Sequence, residues 1–457
     1  MDVTLHLDLP PWLIFPYLFA LGAVLGSFLN VVILRTPSKY TLREQWQALH
    51  NQPSHCPRCK TGIKWYDNIP VFGWLKLGGR CRACRMWISP RYPIIEFLNG
   101  ALFVVVYWLE VPTGMGAQLR QSCLFTDLGP WTYPGLGWMS PEFHLHVIYA
   151  YHMILIEALL VASVIDLDHR IIPEITTTPA TVVGVLGALL LPRVPLLPVW
   201  FQSRTLDRDF GIMLPESWQV FLKTPGGNPD TELGPIWVPD WVNHYPYLHG
   251  VTASLAGGLM GYLLIKFVRA VGSSVLRREA MGEGDIYLMI CIGVFLGWQA
   301  TVITFFLAPI FGLLFSWAQR FMYRDDSIPY GPFLSLGALF TIIAWHTAFE
   351  RTHRLFELGL LLVPMVLLMV ILFVISLWIV QGVKWLLGIP LSPPEESLAI
   401  WRPGDQTHFF AGENVNPWQG RWRTPDWEGN AAARGQVHEN RWRDGRQHPG
   451  GPPRRML

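Results

Sequence analysis

The feature that most constrains this chain is a series of long apolar runs, most of them close to the length that crosses a lipid bilayer. A transmembrane helix needs about 20 predominantly apolar residues. Only 15% of the residues are charged, whereas a soluble protein carries about 25%. The runs and the shortage of charge together predict a membrane protein that crosses the bilayer several times.

Nine runs are candidate membrane spans, although the sixth is too short to cross as it stands. They cover residues 12–34, 93–110, 146–165, 174–192, 248–268, 286–298, 301–319, 331–347 and 358–386. We therefore predict an all-α fold, a polytopic membrane bundle of about eight or nine transmembrane helices. The lipid bilayer is the expected partner of these helices, and we expect no nucleic acid partner.

The charges of the connecting segments predict the orientation in the membrane. Segment 35–92 carries eleven Lys and Arg against two acids, and segment 193–247 carries four against six. Because Lys and Arg are retained in the cytoplasm, 35–92 is predicted to be cytoplasmic and 193–247 external. The acidic first residues lack the basic region of a cleaved signal peptide. We expect the N-terminus outside and the C-terminus in the cytoplasm.

These assignments divide the chain into five regions. The regions are a first span at 1–34, a cytoplasmic loop at 35–92, a bundle at 93–347 with long external loops at 111–145 and 193–247, an additional C-terminal helix at 348–389, and a tail at 390–457. The tail is rich in Pro, Gly, Arg and Trp and has no apolar periodicity. It is predicted to be disordered and cytoplasmic.

Two CxxC pairs in the cytoplasmic loop indicate a metal site. The pairs are Cys56 with Cys59 and Cys81 with Cys84, with 21 residues between them. This spacing is typical of a tetrahedral four-cysteine zinc site, and the alternative is a pair of redox dithiols. Four protein ligands leave no position for a catalytic water, so the zinc is predicted to be structural. We interpret Cys123 and Cys291 as packing or loop residues.

Two aspartates mark the cytoplasmic edge of the bundle. Asp166 ends the third predicted span and Asp285 begins the sixth, so both are predicted at the same depth on the same side. Two facing carboxyl groups can share a proton, activate water and polarise a peptide carbonyl. Gly282 and Gly284 beside Asp285 allow a sharp turn and close approach of an extended peptide. The arrangement suits an aspartic protease.

A simpler interpretation applies to each aspartate taken alone. A single aspartate at the end of a helix commonly caps that helix or lies on the surface. Three other acids, Asp168, Glu174 and Glu283, also lie close by in sequence. Spacing alone does not exclude them from the pair.

Five motifs, in this order, resemble those of the type IV prepilin peptidases, which are membrane aspartic proteases and N-methyltransferases. The motifs are GAVLGSFLNVVILRTP at 22–37, the CxxC loop with its flank ISPRYPIIEFLNG, IDLDHRIIPE at 165–174, AMGEGDIYLM at 280–289 and IPYGPFLSLGA at 328–338. The likeness covers about residues 15–110, 155–190 and 248–345.

The resemblance implies a function and assigns residues to it. Asp166 and Asp285 would be the catalytic pair, and the four cysteines would bind zinc. The substrates would be type IV prepilins or pseudopilins, whose basic leader is cut after a glycine at the inner membrane of a bacterium. The same enzyme would then methylate the new amino terminus with S-adenosylmethionine. The residues that bind this cofactor stay unknown, with Glu96 as a candidate acid that otherwise caps its helix or pairs with Arg91.

The chain departs from the family pattern at several places. Glu174 replaces the usual Asp or Asn, and Tyr287 stands where a Lys is common. One alternative function is an intramembrane aspartic protease with other substrates. Another is a zinc-bearing membrane subunit without enzymatic activity, or a transporter that moves protons through intramembrane acids.

Overall fold

The computed structural model describes most of the helical part of the chain. The described residues are 10–37, 41–50, 54–56, 59–111, 141–191, 194–203, 215, 217, 236–276, 281–322 and 329–387. They form two compact units, one within Met1–Val271 and Ala280–Leu372 and the other within Gly272–Glu279 and Phe373–Leu457. The predicted tail, Cys123 and most of both predicted external loops lie outside the described residues.

The described residues are mainly helical. The α-helices are α1 (Pro11–Arg35), α2 (Leu42–His50), α3 (Phe72–Lys76), α4 (Arg91–Glu110), α5 (Pro141–His169), α6 (Glu174–Leu190), α7 (Asp240–His244), α8 (Pro246–Leu276), α9 (Glu283–Leu296), α10 (Trp298–Met322), α11 (Gly331–Ile343), α12 (Trp345–Phe356) and α13 (Leu362–Leu386). Single 3-10 turns cover Trp65–Asp67 and Gly359–Leu361. Two-residue strands β1 (Gln202–Ser203) and β2 (Ile236–Trp237) pair antiparallel.

The predicted all-α membrane bundle is confirmed. Each of the nine predicted spans contains a helix. Among the described residues, six segments are long and apolar enough to cross a membrane: Trp12–Arg35, Arg91–Glu110, Phe143–His169, Pro246–Val275, Trp298–Phe315 and Gly359–Leu386. Glu174–Leu190 and Gly331–Ile343 are shorter apolar helices. The sixth predicted span is helix α9, which has 14 residues and remains too short to cross alone.

The eighth predicted span, 331–347, ends earlier than expected. Helix α11 stops at Ile343, and α12 then begins as a separate helix that carries Arg351, His353 and Arg354. Phe349 of α12 packs edge-on against Phe201, at a centroid distance of 6.2 Å. The sequence is apolar on both sides of Ala344, so apolar length alone did not predict the break between the two helices.

Glycines bring α1 and α4 into close contact. A Cβ atom at Gly26 would lie 2.9 Å from the Cα of Glu96, and one at Gly22 would lie 2.9 Å from the carbonyl oxygen of Asn99. Because lipid gives helices no hydrophobic reason to associate, small residues at such crossings allow close van der Waals packing. The pairing of α1 with α4 fixes the two helices that flank the cysteine loop.

A second glycine contact joins α8 and α9. A Cβ atom at Gly257 would lie 2.0 Å from the carbonyl oxygen of Gly293, and one at Gly261 would lie 2.3 Å from that of Met289. Neither helix can carry a larger residue at the crossing without moving apart. This contact holds α9, and therefore its first turn with Asp285, in the bundle.

Residues 194–203 cover the end of the bundle opposite Asp285 of α9. Trp298 donates its indole N–H to the carbonyl of Val199 at 2.6 Å, and Gln299 donates to that of Pro198 at 2.8 Å. Trp298 and Gln299 follow α9 directly, at the start of α10. Part of the predicted external loop therefore packs on the helix ends.

Candidate active site and cysteine cluster

Asp166 lies in the last turn of α5 and is buried, with 6% of its surface exposed. The helix ends at His169 because Arg170 adopts a left-handed conformation, with φ of 56°. The Asp166 carboxylate accepts the backbone N–H of Gly331, the first residue of α11, at 3.1 Å. A helix that begins 165 residues later therefore holds this carboxylate in place.

Asp285 lies in the first turn of α9 and is equally buried, at 7% exposure. Its carboxylate accepts the backbone N–H of Gly282 at 3.2 Å. The first N–H groups of a helix lack partners within the helix, and a carboxylate in the first turn is stabilised there. This contact fixes the direction in which the Asp285 side chain points.

The two carboxyl groups meet in one buried place. Asp166 and Asp285 lie close enough for the charge of one to affect the other. Ile172, in the turn after Asp166, packs against Gly284 and Gly331: Cβ atoms at these glycines would lie 2.9 Å and 3.1 Å from its side chain. The turn after α5 and the starts of α9 and α11 therefore surround the pair.

The two glycines before Asp285 differ in what they contact. A Cβ atom at Gly284 would collide with Ile172, so this position requires glycine for packing. A Cβ atom at Gly282 would meet no atom closer than 3.6 Å. Packing therefore gives no reason for glycine at 282, and close approach of a peptide to this position stays a prediction.

The three neighbouring acids face other partners or solvent. Asp168 forms an ion pair with Arg91 at the start of α4. Glu283 pairs with Arg269 at 3.2 Å, and its side chain is 76% exposed. Glu174, the first residue of α6, is exposed. Asp168 and Glu283 are therefore each paired with an arginine from another helix.

Sequence reasoning missed Tyr330 and Gly331 as parts of this site. Gly331 donates to Asp166, and a Cβ atom there would lie 2.6 Å from the Asp166 carboxylate. The Tyr330 hydroxyl lies within electrostatic range of Asp285. The motif IPYGPF was visible in the sequence, but nothing in it indicated which side chains it contacts.

The four cysteines form a compact cluster. All four Sγ atoms lie within 4.8 Å of one another, with Cys56 and Cys84 at 3.8 Å and Cys59 and Cys81 at 4.0 Å. Tetrahedral zinc with Zn–S bonds of about 2.3 Å places its sulfur ligands about 3.8 Å apart. The spacing therefore fits a four-coordinate metal.

Two similar turns present these thiols. Cys56 accepts the N–H of Lys60 and donates its own N–H to Thr61, and Cys81 bonds with Arg85 and Met86 in the same way. Lys60 and Arg85 both have positive φ values, 59° and 58°. Hydrogen bonds from the side chain and backbone of Thr61 lower the pKa of Cys59 to about 6, which favours the thiolate that binds metals.

Further contacts hold the loop between the two turns. Arg82 donates two hydrogen bonds to the carboxylate of Asp67, at 2.6 and 2.5 Å. This bidentate pair lowers the pKa of Asp67 below its usual range. Lys64, Lys76 and Arg82 lie 5.4 to 5.7 Å from the centre of the Tyr66 ring. The loop is thus tied to its second CxxC turn.

Glu96 connects the loop to the membrane helices. Its carboxylate accepts the backbone N–H of Val71 at 2.7 Å and is 9% exposed. Arg91, the partner considered for Glu96 in the sequence, pairs with Asp168 instead. Val71 has a φ of 62°, unusual for a β-branched residue. The loop is therefore attached to α4 through a buried carboxylate.

Two family models match the chain. The Bacterial Peptidase A24 N-terminal domain matches residues 20–109, which include the four cysteines. The Type IV leader peptidase family matches residues 236–317, which include Asp285. No solved structure matches.

Curated relatives extend these matches over most of the chain. A "Type 4 prepilin-like proteins leader peptide-processing enzyme" of Escherichia coli O78:H11 is 28% identical, over 70% of this chain and 90% of the relative. A "Prepilin leader peptidase/N-methyltransferase" of Myxococcus xanthus is 30% identical, over 62% and 56%. One of Aeromonas salmonicida is 27% identical, over 77% and 98%. Together with the two family models, these relatives support the type IV prepilin peptidase family as the family of this chain.

Proposed function

We propose that this protein removes the basic leader of type IV prepilins and pseudopilins by hydrolysing one peptide bond at the inner face of the bacterial cytoplasmic membrane. The observation that carries the proposal is the meeting of two buried aspartates from helices distant in the chain. Asp166 is held by Gly331 and Asp285 by Gly282, and their charges interact.

The two carboxyl groups would act as a pair. Because two like charges at close range disfavour each other, the pair carries one proton between its members. The ionised member takes a proton from a water molecule, which attacks the peptide carbonyl. The protonated member donates to the carbonyl oxygen, and the intermediate then expels the amine, which takes up a proton.

The predicted orientation suits this substrate. A basic leader stays on the cytoplasmic side, and the apolar helix that follows it lies in the bilayer. The bond between them is at the cytoplasmic edge, the depth predicted for Asp166 and Asp285. The placement of 35–92 in the cytoplasm, of the N-terminus outside and of the C-terminus inside is part of this proposal.

The cysteine cluster would hold a structural zinc ion. Its four thiols satisfy a tetrahedral ion, so this zinc would have no open position for the hydrolytic water. Its role would be to fold the loop at 35–92, in which the described residues from 54 to 64 and from 77 to 90 form no helix.

Methylation of the new amino terminus would be the second activity, with S-adenosylmethionine as the methyl donor. The names of the relatives from Myxococcus xanthus and Aeromonas salmonicida support this activity. We place it beside the cysteine loop, where Glu96 offers a buried carboxylate near the cytoplasmic edge. A carboxylate suits both a sulfonium cofactor and an ammonium substrate, since each carries positive charge.

The test uses the purified protein in lipid nanodiscs with a synthetic prepilin segment. We expect the natural sequence to cleave this peptide, and Asp166→Asn and Asp285→Asn each to abolish cleavage while the thermal unfolding temperature is retained. Full cleavage by either variant would refute the two-aspartate mechanism.

Labelled S-adenosylmethionine measures methyl transfer in the same samples. An apolar transmembrane peptide without a basic leader distinguishes this function from a protease with other substrates. A transporter is not favoured, because both acids lie at helix ends rather than in the middle of the bundle.

A further inference from the structure

The turn that follows Asp166 carries one wall of the proposed active site. After the left-handed Arg170, residues 171–173 have no regular secondary structure, and α6 begins at Glu174 with no side-chain cap at the extended Pro173. Ile172 in this turn packs against both Gly284 and Gly331. Any shift of the turn would move Ile172 and, with it, the space beside the aspartates.

A buried glutamine of the cytoplasmic loop binds the C-terminal end of this turn, where α6 begins. The side-chain oxygen of Gln45, in α2, accepts the backbone N–H of Ile175 at 3.2 Å. Gln45 is 4% exposed. The first N–H groups of a helix have no partners inside it, so Gln45 supplies an acceptor that the sequence of α6 lacks.

Helix α2 is itself anchored to the membrane helices. Arg35, the last residue of α1, donates to the carbonyl oxygens of Ala48 and Leu49 at 3.3 and 3.4 Å. Gln45 is therefore fixed from the other side, by the last turn of the first span. The line of contacts runs from α1 through α2 to the start of α6.

An ion pair holds the near end of the turn. Arg91, the first residue of α4, pairs with Asp168, two residues after Asp166. Both side chains are more than one third exposed, at 38% and 34%, so screening by solvent weakens this pair. The contact of Gln45 is buried and is therefore less exposed to screening than this ion pair.

We propose that Gln45, supported by Arg91, is a positioning residue for peptide cleavage. The cytoplasmic region at 35–92 would then serve the peptidase directly, by fixing the turn that carries Asp166 and Ile172. This role is separate from metal binding and from methyl transfer. It rests on the proposed function, because it concerns the geometry of the same aspartate pair.

The test compares three variants on helix α2 in nanodiscs. Gln45→Leu keeps the size of the side chain and removes the acceptor, and Gln45→Glu keeps an acceptor. Gln47→Ala is the matched control, since Gln47 is exposed on the same helix. Cleavage kcat and KM are measured with the synthetic prepilin, and methyl transfer is measured with a peptide that already has the mature amino terminus.

We expect Gln45→Leu to lower the cleavage kcat at least tenfold, with KM and methyl transfer within twofold of the natural protein. Gln45→Glu should retain most of kcat, because its carboxylate still accepts the N–H of Ile175 at a helix end that favours negative charge. Gln47→Ala should be unchanged. Hydrogen exchange at residues 170–176 should be faster in Gln45→Leu alone.

Several results would overturn the inference. Normal cleavage by Gln45→Leu would show that the contact does not position the site. An equal loss of cleavage and methyl transfer would mean that Gln45 only supports the loop. Gln45→Leu could fail to fold, and the test would then rest on Gln45→Glu. A tenfold lower cleavage kcat in folded Gln45→Glu would contradict the inference, because its carboxylate still offers an acceptor to Ile175. Absence of cleavage by the natural protein would instead refute the proposed function.

Discussion

Replacing Gly331 by alanine tests the contact between α11 and the aspartate pair. The new methyl group would lie 2.6 Å from the Asp166 carboxylate oxygen and 3.1 Å from Cδ1 of Ile172. Cβ atoms do not approach other atoms closer than 3.0 Å. The carboxylate must therefore retreat by about 0.4 Å or more, which is comparable to the tolerance of about 0.5 Å expected for a preorganised site.

The expected loss of activity follows from this movement. The retreat lengthens the hydrogen bond from the Gly331 N–H, and a hydrogen bond to a charged group contributes about 1.5–3 kcal/mol. If the transition state loses that amount, kcat falls roughly 10- to 100-fold. The free energy of unfolding should change little, because alanine forms helices at least as well as glycine.

The assay is prepilin cleavage in nanodiscs, with thermal unfolding measured on the same samples. Gly312→Ala is the control, since its methyl group would meet Phe333 at an ordinary 3.6 Å. We expect the control to cleave normally. A Gly331→Ala protein with unchanged kcat would refute the argument that this backbone position fixes Asp166.

Four further predictions concern other parts of the molecule. Cys59→Ser should release the zinc ion, and elemental analysis of the purified protein would measure the loss. An unchanged zinc content would contradict the assignment of Cys59 as a zinc ligand. Glu96→Ala leaves the buried N–H of Val71 without its acceptor, and methyl transfer should fall at least tenfold while cleavage is retained. Gly293→Leu should separate α8 from α9 and lower the unfolding temperature or the folded yield. The exposed carboxylate of Glu174 would attract the positive charges of a basic leader, so Glu174→Gln should raise the KM for such a prepilin mostly at low salt; an unchanged salt dependence would contradict this attraction.

The sequence predicted the helices well because apolar length is a local property. All nine predicted spans have a counterpart, and the clustering of the four cysteines followed from their spacing. The break at Ala344 was missed because α11 and α12 together present one nearly continuous apolar run before the charges appear.

The contacts of the site were less accessible to sequence reasoning. The acids at 168 and 283 were considered as members of the pair, yet both pair with arginines from other helices. Gln45 and Ile175 are separated by 130 residues. The packing of α2 against α6 brings these two residues together. The periodicity of apolar residues along the chain does not predict which helices pack against each other.

The segment between Ser203 and Ile236 begins and ends at the paired strands β1 and β2, which bring its two ends together. It joins α6 to α8 at their ends remote from Asp166 and Asp285. Extra chain at that position adds only the slowly growing entropy of a longer closed loop. The same position would therefore accept a fluorescent reporter or an affinity tag with little effect on proteolysis, and lineages could remodel this end of the bundle without disturbing the hydrolytic centre.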